Sequence, residues 1–218
     1  MASPARRHER RADELQALFE VRRTVDLSPW ETQGRYLEGT GSLVLDRTHR
    51  TAYAGLSSRT DPDVVTAFCT ELGFRPIVFP TEYRGAPVYH TNVMMSIGET
   101  FVVVDANCVP DPTARDALMS SLRATGRELI ELGAGQIAGF AANILQIALK
   151  DGKSGIVMSE TGLHALMGAQ RRVLESHGTL IPLPIGAIEE SGGGSARCML
   201  AEIFLPDRLP RSSNNASN

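Results

Sequence analysis

Residues 42–79 carry the pattern that decides the fold: SLVLDRTHRTAYAGLSSRTDPDVVTAFCTELGFRPIVF. Two short apolar runs, residues 42–46 and 51–56, flank a polar turn and predict a β-hairpin. A helix is predicted over residues 61–73, because it would begin with an Asp-Pro pair and end at a glycine, which suit its two ends. Residues 75–79 predict a third strand. The predicted unit is therefore strand, strand, helix, strand.

The same order of elements recurs twice further along the chain. The predicted helices start near residues 61, 111 and 159, about 50 residues apart. The two later units comprise, in order, residues 88–97, 100–105, 110–126 and 127–131, and residues 141–149, 155–158, 159–177 and 179–184. A fixed period of this kind is typical of a repeat architecture, in which each unit buries its apolar faces against its neighbours.

Partial units are predicted at both ends of the repeats. Residues 12–19 predict a helix, residues 21–25 a strand, and residues 195–205 a further strand run. The chain is therefore expected to hold about three full units and partial ones, in a single domain over residues 1–206. Residues 207–218 are polar and rich in Ser and Asn, which predicts a disordered tail.

Composition limits the classes of function. Of the 218 residues, 42% are hydrophobic and 22% are charged, which is typical of a soluble globular protein. A formal net charge of −3 gives no sign of nucleic-acid binding, and no apolar run has the length of a membrane span. Cys69, Cys108 and Cys198 lie far apart, and the basic start lacks the apolar core of a signal peptide. Together these features predict free thiols, no metal site and a cytoplasmic location.

Three residues are candidates for chemistry. Cys198 follows the glycines at 192–194, His90 stands at the start of an apolar run, and Glu38 precedes Gly-Thr-Gly at 39–41. Taken singly, the three are better explained as a buried cysteine, a structural histidine and a turn residue. Each nevertheless adjoins the first strand of a unit, so packing of the units around one axis would bring all three together. Such a group contains a nucleophile, an acid/base and a residue that orients it.

Four segments in order resemble the guanidino-group-modifying superfamily, which includes arginine deiminase, dimethylarginine dimethylaminohydrolase and the amidinotransferases. The segments are LEGTGS (37–42), LSSRT (56–60), HTNV with SIGE (90–93 and 96–99) and GGGSARC (192–198). The similarity runs over residues 6–206 and is greatest to the citrulline-utilisation hydrolase branch, the amidinotransferase-like one. The resemblance implies an α/β fold, the pentein propeller of five ββαβ blades. Family members are longer at the N-terminus, so this chain is expected to be an incomplete propeller.

The resemblance also implies a mechanism. The Cys198 thiolate would attack the central carbon of a guanidinium or ureido group and form a covalent intermediate. His90 would protonate the leaving nitrogen and then take a proton from water, and Glu38 would orient His90 and stabilise its charge. The expected function is a hydrolase that cleaves the guanidino or ureido C–N bond of an arginine- or citrulline-like amino acid.

The remaining implied residues would bind the substrate. Arg59 would hold its carboxylate, and Asn92 and Ser195 would contact it elsewhere, with no metal or organic cofactor. Two alternatives stay open: an amidinotransferase, in which an amine replaces water, and an inactive truncated pentein that acts only as a binding protein. The expected partner is a small amino-acid substrate, with neither nucleic acid nor membrane, and a homo-oligomer is a further open alternative.

Overall fold

Three sheets of three strands each form the frame of the chain in the computed structural model, which describes residues 1–4, 7 and 10–208. In every sheet the middle strand pairs antiparallel with the strand before it and parallel with the strand after it. The parallel partner follows a helix, as a parallel pair requires a crossover connection. The predicted mixed α/β repeat is confirmed.

The part of the chain before the first sheet contains helices and turns. It holds α1 (Ala12–Leu18), a 3-10 turn at Ser28–Gln33 and the four-residue helix α2 (Gly39–Ser42). The helix predicted at residues 12–19 is confirmed, but the strand predicted at 21–25 is wrong, because this segment is irregular. Alternating side chains alone do not make a strand where no neighbouring backbone is available to complete the hydrogen-bonded ladder.

The first repeat matches its prediction within two residues at each boundary, the largest difference being the first strand, which starts at Val44 rather than at residue 42. It comprises β1 (Val44–Asp46), β2 (Thr51–Leu56), α3 (Pro62–Leu72) and β3 (Arg75–Pro80). The Asp61 side chain accepts hydrogen bonds from two backbone N–H groups of the first turn of α3. This cap satisfies donors that have no partner within the helix, which explains why the Asp-Pro pair predicted the helix start.

The second repeat departs from the prediction at its first strand. It comprises α4 (Thr91–Met94), β4 (Met95–Ile97), β5 (Phe101–Val104), α5 (Pro112–Arg123) and β6 (Glu128–Glu131). The strand predicted at residues 88–97 is wrong in its first part, where the chain forms α4. All four residues of α4 are buried, and a short apolar run does not distinguish a buried helical turn from a buried strand.

The third repeat is divided more finely than predicted. It comprises β7 (Leu145–Ala148), β8 (Ser154–Ser159), α6 (Glu160–Ala165), α7 (Gly168–His177) and β9 (Thr179–Leu183). The strand predicted at 141–149 starts late, and the single helix predicted at 159–177 is two helices interrupted at residues 166–167. The backbone is extended at both of these residues, which starts a new helix in a new direction.

The last described segment contains no strand of the sheets. It consists of α8 (Gly186–Gly192), a 3-10 turn at Ala196–Met199 and an irregular, largely exposed segment to residue 208. The strand run predicted at 195–205 is therefore wrong. Asp207 forms an isolated antiparallel bridge with Phe19, so the predicted tail begins with a paired residue; residues 209–218 lie outside the described residues.

One apolar core joins the three repeats. It contains Tyr53 of β2, Val103 of β5, Ile156 of β8 and Leu174 of α7, each nearly or fully buried. A smaller cluster packs α3 against the first sheet. Among the described helices, none is both long and apolar enough to cross a bilayer. The shared core places the segments that enter each repeat close to one another.

Candidate active site

The three residues predicted to carry the chemistry border one cavity. Glu38, His90 and Cys198 all line a cavity of about 1160 Å³. Glu38 and His90 occupy the N-cap positions of α2 and α4, the two short helices that lead into the first strands of their repeats. Cys198 lies in the 3-10 turn after the glycine-rich loop. Equivalent entry segments of successive repeats thus supply different groups to the same space.

Glu38 and His90 form a partly buried pair. Glu38 Oε2 and His90 Nε2 are 2.9 Å apart, and their side chains are 10% and 13% exposed. The Ala2 amide donates to Glu38 Oε1 over 2.8 Å, and Arg59 Nη1 lies 3.7 Å from Oε2. Burial opposes ionisation of Glu38, but these hydrogen bonds and the nearby positive charges offset it and lower the pKa of the carboxyl. The resulting carboxylate can hold the imidazole in place and stabilise its protonated form.

The close approach of α2 to His90 requires a glycine. A Cβ atom built on Gly41 would lie 2.7 Å from His90 Nδ1, closer than real Cβ contacts. The Gly-Thr-Gly segment after Glu38, which is not a nucleotide-binding motif, thus lets the backbone pack against the ring. Ser42, the last residue of α2, fixes the Glu38 backbone, whose N–H donates to Ser42 Oγ over 2.9 Å.

Cys198 differs from the other two cysteines in its surroundings. Its side chain is partly exposed to the cavity, whereas Cys69 and Cys108 are buried. Burial raises the pKa of both buried thiols, that of Cys108 to about 12 with help from the Asp105 charge. The Cys198 sulfur instead has amide neighbours: Asn143 Nδ2 lies 3.2 Å from it. Cys198 is therefore the thiol placed to meet a ligand in the cavity.

The three predicted substrate-binding residues have different surroundings. Arg59 and Asn92 line the cavity. The Arg59 guanidinium is partly exposed and lies over the ring of Tyr89, 5.4 Å from its centroid, while the buried Asn92 amide donates to the Thr40 carbonyl over 3.1 Å. Ser195 is fully buried, does not line the cavity and donates to Glu189 Oε1 over 2.6 Å. Its hydroxyl thus ties the glycine-rich loop to α8.

Two further residues at the site were not found by sequence reasoning. Tyr89 lines the cavity, and its hydroxyl donates to the Gly193 carbonyl over 2.5 Å. Burial first, and then an electrostatic effect of Cys198, raises the pKa of Tyr89 to about 12 against the effect of Arg59, so the phenol stays a neutral donor. The second residue, Asn143, precedes β7 as Glu38 and His90 precede their own repeats, and this position is the signal that could have identified it.

Comparisons with known proteins agree with this geometry. The family model for N,N dimethylarginine dimethylhydrolase, eukaryotic, matches residues 1–205. The chain belongs to this family. The predicted resemblance to guanidino-group-modifying proteins is confirmed at that level, while the placement in the citrulline-utilisation branch stays a prediction. No protein of curated function matches the sequence.

Solved structures with the same fold come from longer proteins. ArgZ, an arginine dihydrolase from the ornithine–ammonia cycle in cyanobacteria, is 16% identical in its apo form, with a TM-score of 0.60 over 78% of this chain and 26% of ArgZ. Its product-bound N-terminal domain gives 16% identity and a TM-score of 0.62, over 78% of this chain and 57% of the domain. AgrE with ornithine and NAD⁺ gives 18% identity and a TM-score of 0.63, over 80% of this chain and 24% of AgrE. These matches confirm the pentein-type fold, and this chain spans a quarter to somewhat over half the length of these proteins.

Proposed function

We propose that this chain hydrolyses the guanidino C–N bond of an arginine-like amino acid through a covalent adduct on Cys198. The observation that carries the proposal is that Glu38, His90 and Cys198 border one cavity, with Glu38 and His90 in direct contact. A thiol nucleophile, an imidazole and a carboxylate that orients it are the groups needed for nucleophilic displacement at an amidine carbon. Membership of a family named for dimethylarginine hydrolysis supports the same substrate class.

The proposed reaction has two displacements at one carbon. The Cys198 thiolate forms a C–S bond to the guanidinium carbon, and the C–N bond breaks as the leaving ammonia or amine takes a proton from His90. Water then adds to this carbon while His90 accepts a proton from it, and the C–S bond breaks to return the thiolate. The net change replaces an amidine nitrogen by oxygen, giving a ureido amino acid and ammonia or an amine. A ureido substrate would follow the same steps.

The charges around the cavity suit a substrate with a cationic head and an anionic end. Glu38 lines the cavity beside His90 and favours a guanidinium, whereas Glu31, also in the lining, is already paired with Arg7 and Arg10. Arg59, partly exposed at the same cavity, could form a bidentate pair with the substrate carboxylate. Asn92 stays the proposed polar contact beside the sulfur, since its Oδ1 lies 3.5 Å from Sγ. Ser195 stays a proposed substrate-binding residue. Because it is buried, it would act indirectly, by holding the loop that carries Cys198 in place.

The test is product release from purified protein. L-arginine, N,N-dimethylarginine and citrulline are supplied separately, and ammonia, dimethylamine, citrulline and ornithine are quantified. We expect release from at least one substrate and its abolition, by at least about 10³-fold, in Cys198→Ala, because no other group replaces the nucleophile. Cys69→Ala is the matched control: its thiol lies in the small core beside α3, outside the cavity, and activity should persist.

Three outcomes would overturn the hydrolase proposal, wholly or in its nucleophile. Transfer of the amidino group to added glycine or lysine, without hydrolysis, would establish the amidinotransferase alternative. Ligand binding by calorimetry without any turnover would establish the binding-only alternative. Turnover that survives Cys198→Ala would remove Cys198 as the nucleophile.

Two broader proposals accompany this function. A cytoplasmic location is favoured by three unpaired thiols.

Self-association into a homo-oligomer is favoured by exposed apolar side chains near the end of the described chain, among them Ile203 and Phe204. Sedimentation of the purified chain over a concentration series would detect self-association, and a monomer at every concentration would refute it.

A further inference from the structure

The Asn143 carboxamide connects two walls of the cavity at the sulfur of Cys198. Its Nδ2 donates to the Asn92 backbone carbonyl over 2.9 Å and lies 3.2 Å from Cys198 Sγ. Its Oδ1 accepts from the backbone N–H groups of Arg197, over 2.9 Å, and Cys198, over 3.4 Å. Asn143 thus contacts the entry segment of the second repeat and the turn that carries the thiol.

These four contacts, with a longer one of 3.4 Å from Nδ2 to Asn92 Oδ1, use the hydrogen-bonding capacity of the side chain in full. A carboxamide has two N–H donors and an oxygen with two lone pairs, and each has a partner here. The reversed orientation would face the oxygen toward a carbonyl and a sulfur, and the NH₂ group toward two N–H donors. The network therefore determines which atom of Asn143 faces the sulfur.

The position of Asn143 is fixed by its surroundings. The residue is 0% exposed, as are Ala141 and Ala142 before it. Its backbone N–H donates over 2.9 Å to the carbonyl of Phe140, which has a φ of 58° and turns the chain toward β7. Because a buried amide with all partners satisfied has little freedom to rotate, it can hold a neighbouring group to a small range of positions.

We propose that Asn143 is the positioning residue of the Cys198 nucleophile. It holds the backbone of the nucleophile turn through Oδ1 and stabilises the thiolate by donating an Nδ2 hydrogen to Sγ. The inference rests on the proposed function, since it concerns the thiol proposed to react. An N–H donor to sulfur gains strength when the sulfur becomes an anion, whereas a thiol can donate to Asn92 Oδ1 instead.

Other ionisable groups also face the sulfur and must stay unchanged in the test. Tyr89, from the segment before α4, and Arg197, on the turn itself, both interact electrostatically with Cys198. Glu38, His90 and Arg59 line the same cavity. A substitution at residue 143 replaces none of these side chains, and of these residues only Arg197 is hydrogen-bonded to Asn143, through its backbone N–H.

The test measures the pH dependence of iodoacetamide alkylation at Cys198, read from the mass of the peptide that carries it. We expect the alkylation midpoint to rise by about 1 pH unit in Asn143→Ala, the usual effect of one hydrogen bond to a charged group. It should rise further in Asn143→Asp, because a carboxylate replaces the donor. The matched control is Asn107→Ala, whose amide donates to Asp105 outside the cavity and whose loss should leave the midpoint unchanged.

A folded Asn143→Asp protein with the wild-type alkylation profile would overturn the proposal. Should neither variant fold, the wild-type chain provides the test by NMR. An Asn side-chain NH₂ signal should then shift with the Cys198 midpoint in wild type and not in Cys198→Ala, and the absence of any such signal would refute the proposal.

Alkylation needs no substrate, so the two proposals can fail separately. If the chain shows no activity but Asn143→Asp raises the alkylation midpoint, the positioning role of Asn143 is supported and the hydrolase proposal is refuted. If the chain is active and Asn143→Asp changes neither the alkylation midpoint nor kcat, the hydrolase proposal is supported and the positioning role is refuted. In an active chain we expect kcat to fall in this variant, with a smaller change in KM.

Discussion

At the scale of single residues, the candidate site depends on how closely backbone can approach a side chain. Gly41 lies against the His90 ring, with room for hydrogen but not for a methyl group. This restriction comes from contact alone, since Gly41 is not among the residues with positive φ, whereas Gly39 has a φ of 52°. A motif that resembles a flexible turn in the sequence is, in the structure, a packing surface for the imidazole.

Gly41→Ala should therefore impair catalysis by displacing His90. We expect kcat to fall about 10²-fold, since a displacement of about 1 Å in a catalytic group has an effect of that size. Gly186→Ala is the matched control, because a Cβ there meets nothing within 4 Å and φ is not positive. Both variants are assayed under conditions where circular dichroism shows them folded. Wild-type kcat in folded Gly41→Ala would contradict the proposed role of the His90 position.

At the scale of secondary-structure elements, a buried ion pair links the first repeat to the second. Arg127, just before β6, contacts Asp46 at the end of β1 through two bonds of 2.6 and 3.2 Å. The side chains are 7% and 0% exposed, and His49 Nδ1 lies 2.8 Å from Asp46. Burial opposes ionisation of Asp46, but Arg127 and His49 offset it and lower its pKa. The pair therefore orients two sheets whose strands do not pair with each other.

Asp46→Asn should destabilise the fold, because it leaves the Arg127 charge buried without its partner. The expected loss is about 3–5 kcal/mol in the free energy of unfolding measured with urea at pH 7. The exposed pair of Arg123 and Glu131 supplies the control: Glu131→Gln should cost less than about 1 kcal/mol.

The same pair predicts a pH dependence. The pKa of Asp46 is lower in the folded protein than its ordinary value of 3.8. The stability that ionised Asp46 contributes is therefore complete above pH 3.8, and it is lost as pH falls through the folded-state pKa. The difference in stability between wild type and Asp46→Asn should therefore narrow in acid below about pH 3.8. A stability difference between the two proteins that widened in acid would contradict the lowered pKa of Asp46.

At the scale of the whole molecule, the continuous core predicts joint unfolding of the three repeats. Core residues of β2, β5, β8 and α7 belong to one cluster. The single domain predicted over residues 1–206 would then unfold as a unit, although each repeat has its own sheet.

Urea unfolding should show one transition by two independent probes. Trp30, the single tryptophan, reports the segment before the first sheet, and far-ultraviolet circular dichroism reports the strands and helices. We expect midpoints that agree within error, and an unchanged midpoint in a chain ending at residue 208. A separate, earlier Trp30 transition would show that the first segment unfolds on its own.

Helix caps and terminal glycines, which act over a few neighbouring residues, predicted the elements whose ends they define. The Asp61 cap and Gly73, with its φ of 68°, define α3 within one residue, and an aspartate cap followed by proline also starts α5. The errors fall where burial or backbone geometry overrides the local pattern, and in the segments at residues 21–25 and 195–205, which join no sheet. The fully buried α4 resembled a strand, and the extended residues 166–167 divided a helix that periodicity alone had joined.

The sequence by itself determined the period of the repeats, the order of strands and helices within them, and the residue types available for chemistry. Capping, turn formation and alternation of apolar residues act over a few neighbours, so they can be read along the chain. Only the tertiary structure decided that Glu38 contacts His90, that Asn143 lies against Cys198 and that Ser195 points into the protein. The first two contacts join residues 52 and 55 positions apart and depend on how the repeats pack around their shared core, which no local pattern encodes.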